Sequence, residues 1–327
     1  MITGNLAIIG YYFIKYQKMK KEENSPHKFE SLSDAHQSFG LPGPKHPQIS
    51  LIGSANVSGE VNFPAGSHVL NFYKISYKSR LSGRLKYGQH YYDFDEGGLL
   101  FASPGQIIGN NEDDINSADE CSLYTLLIHP DFLWNSPLAK KIKQYGFFSY
   151  SANEALHLSE DEKEVVISIF KMIEAELNSR IDDFSQNVVI SQIELLLNYA
   201  DRFYKRQFIT RKAVSSDLLQ KLDDLLEAYF MGGTPLSQGL PTVGYLAGHL
   251  NLTPTYLSDM LRSLTGQNAQ QHIHDKLTQK AKEILSTTSL SASEIAYQLG
   301  FEHPQSFTKF FKNKTSQSPI EFRAQFN

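Results

Sequence analysis

The sequence predicts an α+β chain: a β-rich N-terminal half with a helical segment behind it, then an all-α C-terminal domain. Three observations predict it. Between about residues 49 and 130 the chain alternates with a period of two, as where Phe72, Lys74 and Ser76 interleave with Tyr73, Ile75 and Tyr77, the pattern of strands. After Ser159 the apolar residues recur every three or four positions, the spacing of one helix face. From Val243 onward a single two-helix pattern occurs twice.

At 327 residues the chain has the length of about two domains. With 41% hydrophobic and 12% aromatic residues it can fill both cores. The expected division is an N-terminal arm over 1–48, a β-rich and helical domain over 49–212, and the all-α domain over 213–327. The 31 basic and 35 acidic residues leave a net charge of −4. That argues against a chain basic throughout, but not against a local basic patch. Cys121 stands alone, which excludes an intramolecular disulfide framework or a cysteine-only zinc cage and fits a reducing, cytoplasmic setting.

The apolar run Ile2 to Ile14 is well short of a membrane span and lacks the flanks of a signal peptide. It reads as an extra element of the next domain, or as sequence upstream of a natural start at Met19. Residues 20 to about 48, with Pro26, Pro42, Gly43, Pro44 and Pro47, read as an irregular arm. The runs Leu99–Ala102 and Leu123–Ile128 are bounded by turn residues, as in a small barrel or sandwich. Ser159 before Glu160, Asp161 and Glu162 is a helix cap with an acidic first turn. Val165, Val166, Ile169, Phe170, Ile173 and Leu177 form one stripe. Val188, Val189, Ile193, Leu196, Leu197, Ala200 and Phe203 form a second, which ends in the basic residues Arg202, Lys205, Arg206, Arg211 and Lys212. Such stripes either cover the β-domain or form a dimer seam.

In the repeated pattern, Val243, Leu246, Ala247 and Leu250 precede a turn at Asn251–Pro254, and Leu257, Met260, Leu261 and Leu264 follow it. In the second occurrence, Ala292, Ile295, Ala296 and Leu299 precede a turn at Gly300–Pro304, and Phe307, Phe310 and Phe311 follow. The offset is 49 residues across the first helices and 50 across the second, so the turn has gained a residue. Ala247 and Ala296 allow two short helices to cross closely, and Gly300 and Asn251 suit a left-handed turn. Thr253 and Thr255 can cap the helix beginning at Pro254, and Pro304 fits the first turn of its counterpart. Each module buries its apolar face and frees its second helix to present polar side chains, the geometry with which such helices enter a DNA major groove.

Between the modules, Ile273, Leu277, Ala281, Ile284 and Leu285 line a helix over about Asn268 to Ser286. It spans about 28 Å, against a DNA turn of about 34 Å. From Val243 onward eight basic residues outnumber six acidic ones, and Lys309, Lys312 and Lys314 cluster at the second recognition helix. Such a cluster suits phosphate contacts.

Here the chain resembles the AraC/XylS family of bacterial regulators, firmly over about 215–327. The run Ser293–Phe301, then Phe307–Lys312, then Ser318–Arg323 matches the family's signature in order. Leu246-Ala247, Tyr256-Leu257 and Leu264-Thr265-Gly266 match more loosely. Ser316 stands where glycine is common, Phe322 where tyrosine is usual, and Leu277-Thr278 replaces the linker helix's Arg-Leu. Carried over by position, the resemblance implies DNA contacts from Thr255, Ser258, Asp259 and Arg262 on the first recognition helix, and from Gln305, Ser306, Lys309 and Lys312 on the second. Gln pairs with adenine and Lys with guanine. Asp259 would accept from cytosine or orient Arg262, and Arg323 would hold the last helix in place.

Gly98–Gln106 resembles the strand and turn of a cupin-like sensor domain, which implies an N-terminal cupin-like β-barrel with a helical dimerisation segment. The metal-binding histidines of cupins are missing, since Ile107-Ile108 follow the turn and His68 and His90 stand singly. No metal or cofactor is therefore expected. Tyr73, Tyr77, Arg84, Tyr87, His90 and Tyr92 are the candidate effector-binding residues.

The resemblances imply a sequence-specific, DNA-binding transcription regulator, not an enzyme. Its expected partners are double-stranded promoter DNA, a small-molecule effector, a second copy of itself and RNA polymerase, with no membrane. Two readings stay open beside it: a metal-free interaction module tethered to DNA, and a cupin-type enzyme fused to a DNA-binding domain.

Overall fold

The alternation around Tyr73 builds the centre of a sheet. In the computed structural model, which describes residues 26–53, 67–78, 85–87, 90–92, 97–109, 122–151, 154–179, 185–210 and 212–326, the first elements are β1 (His27–Phe29), α1 (Leu32–Ser38), β2 (Ile49–Gly53), β3 (Ser67–Leu70) and β4 (Tyr73–Lys78). Then come β5 (Leu85–Tyr87), β6 (His90–Tyr92), β7 (Gly98–Ala102), β8 (Ile107–Gly109), β9 (Ser122–Ile128), the single turn α2 (Leu138–Lys141) and β10 (Leu156–His157). Strand β4 lies between β7 and β9 in an antiparallel sheet of order β10-β7-β4-β9-β2. A second sheet has the order β1-β3-β8, and β5 pairs with β6. Among the described residues these sheets do not close into the expected barrel.

The expected irregular arm holds a strand and a helix. Ser31 caps α1, its hydroxyl accepting from the Asp34 amide at 3.1 Å. Phe29, Leu32, Ala35 and Phe39 then form a buried cluster with Leu70, Phe72 and Leu127. Burying such side chains contributes roughly 1.5–3 kcal/mol each, so this segment is part of the core.

Behind the sheet, α3 (Glu160–Asn178) begins at Ser159 with a reciprocal capping box to Glu162. It buries Val166, Ile169, Phe170 and Ile173, and Tyr124 of β9 stacks on Phe170 at 5.2 Å. On α4 (Ser185–Thr210) Val189, Ile193, Leu196, Leu197, Ala200 and Phe203 are buried. Both stripes therefore cover core, while Val188 and Leu195 remain exposed on α4.

The chain divides into two compact units, 1–203 and 204–327. Beyond α4 come α5 (Lys212–Met231), α6 (Thr234–Gln238), α7 (Val243–His249), α8 (Pro254–Thr265), α9 (Ala269–Thr287), α10 (Ala292–Gln298), α11 (Pro304–Thr315) and α12 (Pro319–Arg323). The sequence reading named no helix at α5, yet Leu218, Leu222, Leu226 and Tyr229 give it a buried face. No helix among the described residues is long and apolar enough to cross a membrane, and Ile2–Ile14 and Cys121 lie outside them.

Candidate nucleic-acid interface

Each helical module closes around the same small set of contacts. Leu246 and Ala247 on α7, and Ile295 and Ala296 on α10, have no exposed surface. The turn after α7 runs through Asn251 at φ 55°, and the turn after α10 through Gly300 at φ +93°. These are the two left-handed residues the turns require. In both, the next amide returns to the helix: Leu252 N donates to Ala247 O and Phe301 N to Ala296 O, each at 2.9 Å. Up to this point the modules match at an offset of 49, and from the following cap onward at 50. The extra residue of the second turn is therefore at Glu302.

The recognition helices repeat one plan from cap to cap. Thr253 caps α8, accepting from the Tyr256 amide at 3.2 Å. His303 holds the same place before Pro304 without a side-chain cap bond. Leu257 and Leu261 on α8 correspond to Phe307 and Phe311 on α11, and all four are fully buried. At the far ends, Thr265 and Thr315 donate to Leu261 O (2.9 Å) and Phe311 O (2.8 Å) and accept from the amides of Gln267 and Gln317. Both helices stop at a left-handed residue, Gly266 at φ 79° and Ser316 at φ 64°.

With these apolar faces inward, Gln305, Ser306, Lys309 and Lys312 are exposed on α11, and Arg262 on α8. Thr255, Ser258 and Asp259 are half-buried on α8. Arg262 Nη1 donates to Asp259 Oδ1 at 2.9 Å, so Asp259 orients Arg262.

Linker helix α9 packs against both modules. Its nineteen residues start at Asn268, whose capping box pairs with Gln271. Asp275 accepts from Gln267 Nε2 at 2.9 Å, at the end of the first module, and from Lys314 Nζ at 3.1 Å, at the end of the second. His274 lies edge-on to Phe310 at 5.3 Å. Arg323 Nε donates to Leu285 O at 3.1 Å and so holds α12 against α9. On the side of α5, Lys276 pairs with Asp223 at 2.8 Å and Glu227 at 2.9 Å, and Lys280 pairs with Glu227 and Glu283. Burial opposes the charge on Lys276, but the hydrogen bonds it donates to Asp223 and Glu227 outweigh it and raise its pKa. The sequence reading missed Asp223, Glu227, Asp275 and the paired threonines.

The helix-turn-helix domain model matches residues 246–325. The arabinose operon regulatory protein of Escherichia coli is 33% identical over 82 residues, 25% of this chain and 28% of that protein. The C-terminal unit is an AraC-type helix-turn-helix domain. Across more of the chain, the HTH-type transcriptional regulator YfiF of Bacillus subtilis is 24% identical over 266 residues, 79% of each protein. The C-terminal domain of the response regulator yesN from Fusobacterium nucleatum is 33% identical over 31% of this chain and 96% of its own, with a TM-score of 0.27. The chain is a transcriptional regulator with an AraC-type domain.

Of the effector candidates in the other unit, the side chains of Tyr73 and Tyr77 are described. Tyr73 and Tyr77 are buried, Tyr73 edge-on to Phe148 at 5.1 Å. Burial raises both hydroxyl pKa values, and at Tyr77 Lys163 and Glu160 of α3 act in opposite directions. This face of β4 is thus packed rather than open to a ligand. Arg84, and the side chains of Tyr87, His90 and Tyr92, lie outside the described residues. A cavity of about 820 Å³ lies instead at the edge strand β2, between the loop at Leu41–His46, the end of α3 and the start of α4. Ile49, Leu51, Phe132 and Leu177 give it apolar walls, with Glu174 and Glu176 among its polar groups. His36 bridges Ser50 Oγ at 2.9 Å and the Pro42 carbonyl at 2.5 Å, fixing the loop that forms one wall.

Proposed function

We propose that the chain is a sequence-specific DNA-binding regulator that lays α8 and α11 in successive major grooves on one side of a promoter duplex. The observation that carries this is the duplication: two polar helix faces, half-exposed on α8 and exposed on α11, repeated at an offset of fifty, on a nineteen-residue helix that packs against both modules. In this reading Thr255, Ser258, Asp259, Gln305, Ser306 and Lys309 face base edges, and Arg262 and Lys312 lie toward the backbone. The N-terminal unit is the regulatory part, and its effector site is the cavity beside β2, whose volume is of the size that takes small ligands. The protein works as a cytoplasmic homodimer that also meets RNA polymerase.

The test of the DNA reading is binding of the full chain to fluorescent duplexes from its own upstream region. Gln305→Ala and Lys309→Ala should each weaken binding by about 1–3 kcal/mol. If neither variant loses affinity, the assignment of α11 is wrong. For the effector, a metabolite that raises the melting temperature should cease to do so in Leu177→Trp, which fills the cavity. An unchanged response would place the effector elsewhere.

A further inference from the structure

We propose that the two recognition helices divide the charge of binding: α11 supplies the net electrostatic attraction to the duplex, with Lys312 on the backbone, whereas on α8 Asp259 selects among bases and neutralises Arg262 where it lies toward the backbone. This rests on the DNA-binding reading above.

The shared caps, buried residues and terminal threonines fix the correspondence of α8 with α11. It places Asp259 on Lys309 and Arg262 on Lys312. In the first module these positions carry opposite charges, one turn apart on the same helix, and they bond to each other at 2.9 Å. In the second both are lysines, so neither can neutralise the other. Lys314, the third cation of α11, is turned back onto Asp275. At these positions α8 therefore presents no net charge and α11 two positive charges, of which Lys312 also feels Glu321 of α12 through space.

A neutralised guanidinium releases few counterions when it approaches a phosphate, whereas a lysine without such an acceptor releases nearly one. A carboxylate in the groove has the opposite character. It repels phosphate and only accepts hydrogen bonds, so on the strand it faces it prefers cytosine, through N4, or adenine, through N6, over guanine and thymine, whose polar edges only accept. Asp259 thus reduces the general affinity of α8 and makes it selective.

The experiment uses the full chain and a duplex of about 30 base pairs recovered by the wild-type protein from a random-sequence pool. Affinity is then measured across a salt series for wild type and for Asp259→Asn, Arg262→Ala, Lys309→Ala and Lys312→Ala. Lys312→Ala should lower the slope of log affinity against log salt by about 0.9, which is about a 3.5-fold smaller loss of affinity between 50 and 200 mM salt, and Lys309→Ala, whose side chain faces a base edge, should lower it by less. Arg262→Ala should leave the slope nearly unchanged. Asp259→Asn should steepen it by nearly the amount that Lys312→Ala lowers it, as Arg262 is released. A second selection with Asp259→Asn should recover sites no longer restricted to cytosine or adenine at the base facing Asp259, because an amide donates as well as accepts. A slope change for Arg262→Ala equal to that of Lys312→Ala, or none for Asp259→Asn, overturns the division of labour. Failure of the wild type to recover any duplex would instead overturn the DNA-binding reading.

Discussion

The backbone of Gly239 lies against the α-carbon of Gly300, and a methyl group added there would stand 2.6 Å from the Gly239 carbonyl carbon and oxygen. That carbonyl also accepts from Tyr229 OH at 3.0 Å. The strand of chain entering the first module is therefore trapped between α5 and the turn of the second. Gly300 satisfies two demands at once, a left-handed φ of +93° and room for another backbone.

Gly300→Ala should accordingly be among the most damaging single substitutions in the domain. The contact is with backbone, which cannot swing away, and the conformation is strained for any L side chain. A loss of about 2–4 kcal/mol is expected from the two effects together, read as a lower urea midpoint. Gly248→Ala is the control. It is exposed, it has nothing within 4 Å of the added carbon, and it lies inside α7, where alanine is favoured by about 1 kcal/mol. Equal effects of the two substitutions would show that Gly239 does not press on Gly300.

The modules were legible in the sequence because helix periodicity and turn residues are local. Ala296, Gly300 and Phe307 each announce a packing role within a few residues of chain. Helix α5 was not recognised, although Leu218, Leu222, Leu226 and Tyr229 are spaced at four, four and three. The basic run ending at Lys212 resembles a terminus and drew the boundary there. The strand and helix at 27–38 were hidden by prolines and histidines around a sparse apolar pattern. Alternation in β4 placed Tyr73 and Tyr77 on one face, but nothing local says whether a ligand or Phe148 meets that face. Asp275, joined to residues eight and thirty-nine positions away, carries no sequence signal at all.

The ends of the recognition helices make a paired test. Gly266 and Ser316 hold the same left-handed cap at φ 79° and 64°, and only glycine adopts it without steric cost. Ser316→Gly should therefore stabilise the domain by about 0.5–1 kcal/mol, and Gly266→Ser should destabilise it by a similar amount. Thermal melting of the two variants beside the wild type measures both. Shifts of the same sign would contradict the equivalence of the caps.

Acid should unfold the C-terminal domain through three carboxylates. Hydrogen bonds from Lys280 and then Lys276 lower the pKa of Glu227, and the backbone amides and hydroxyls of Ser291 and Ser318 lower those of Glu294 and Glu321. Each folded value lies below the ordinary 4.5. The ionised form is thus favoured by folding, its contribution is complete above that pH, and it is lost as the pH falls through the folded values. The raised pKa values of Lys276 and Lys280 work in the other direction. Their contribution holds below 10.5 and disappears as the pH climbs through the folded values. Melting temperature should therefore be flat near neutrality and fall at both extremes. Glu227→Gln removes the titratable charge shared by both lysines, so it should lower the neutral plateau and make the acid decline shallower. Melts followed by circular dichroism across the acid range test this, and a variant curve running parallel to that of the wild type would mean that the α5–α9 ion pairs do not set the acid response.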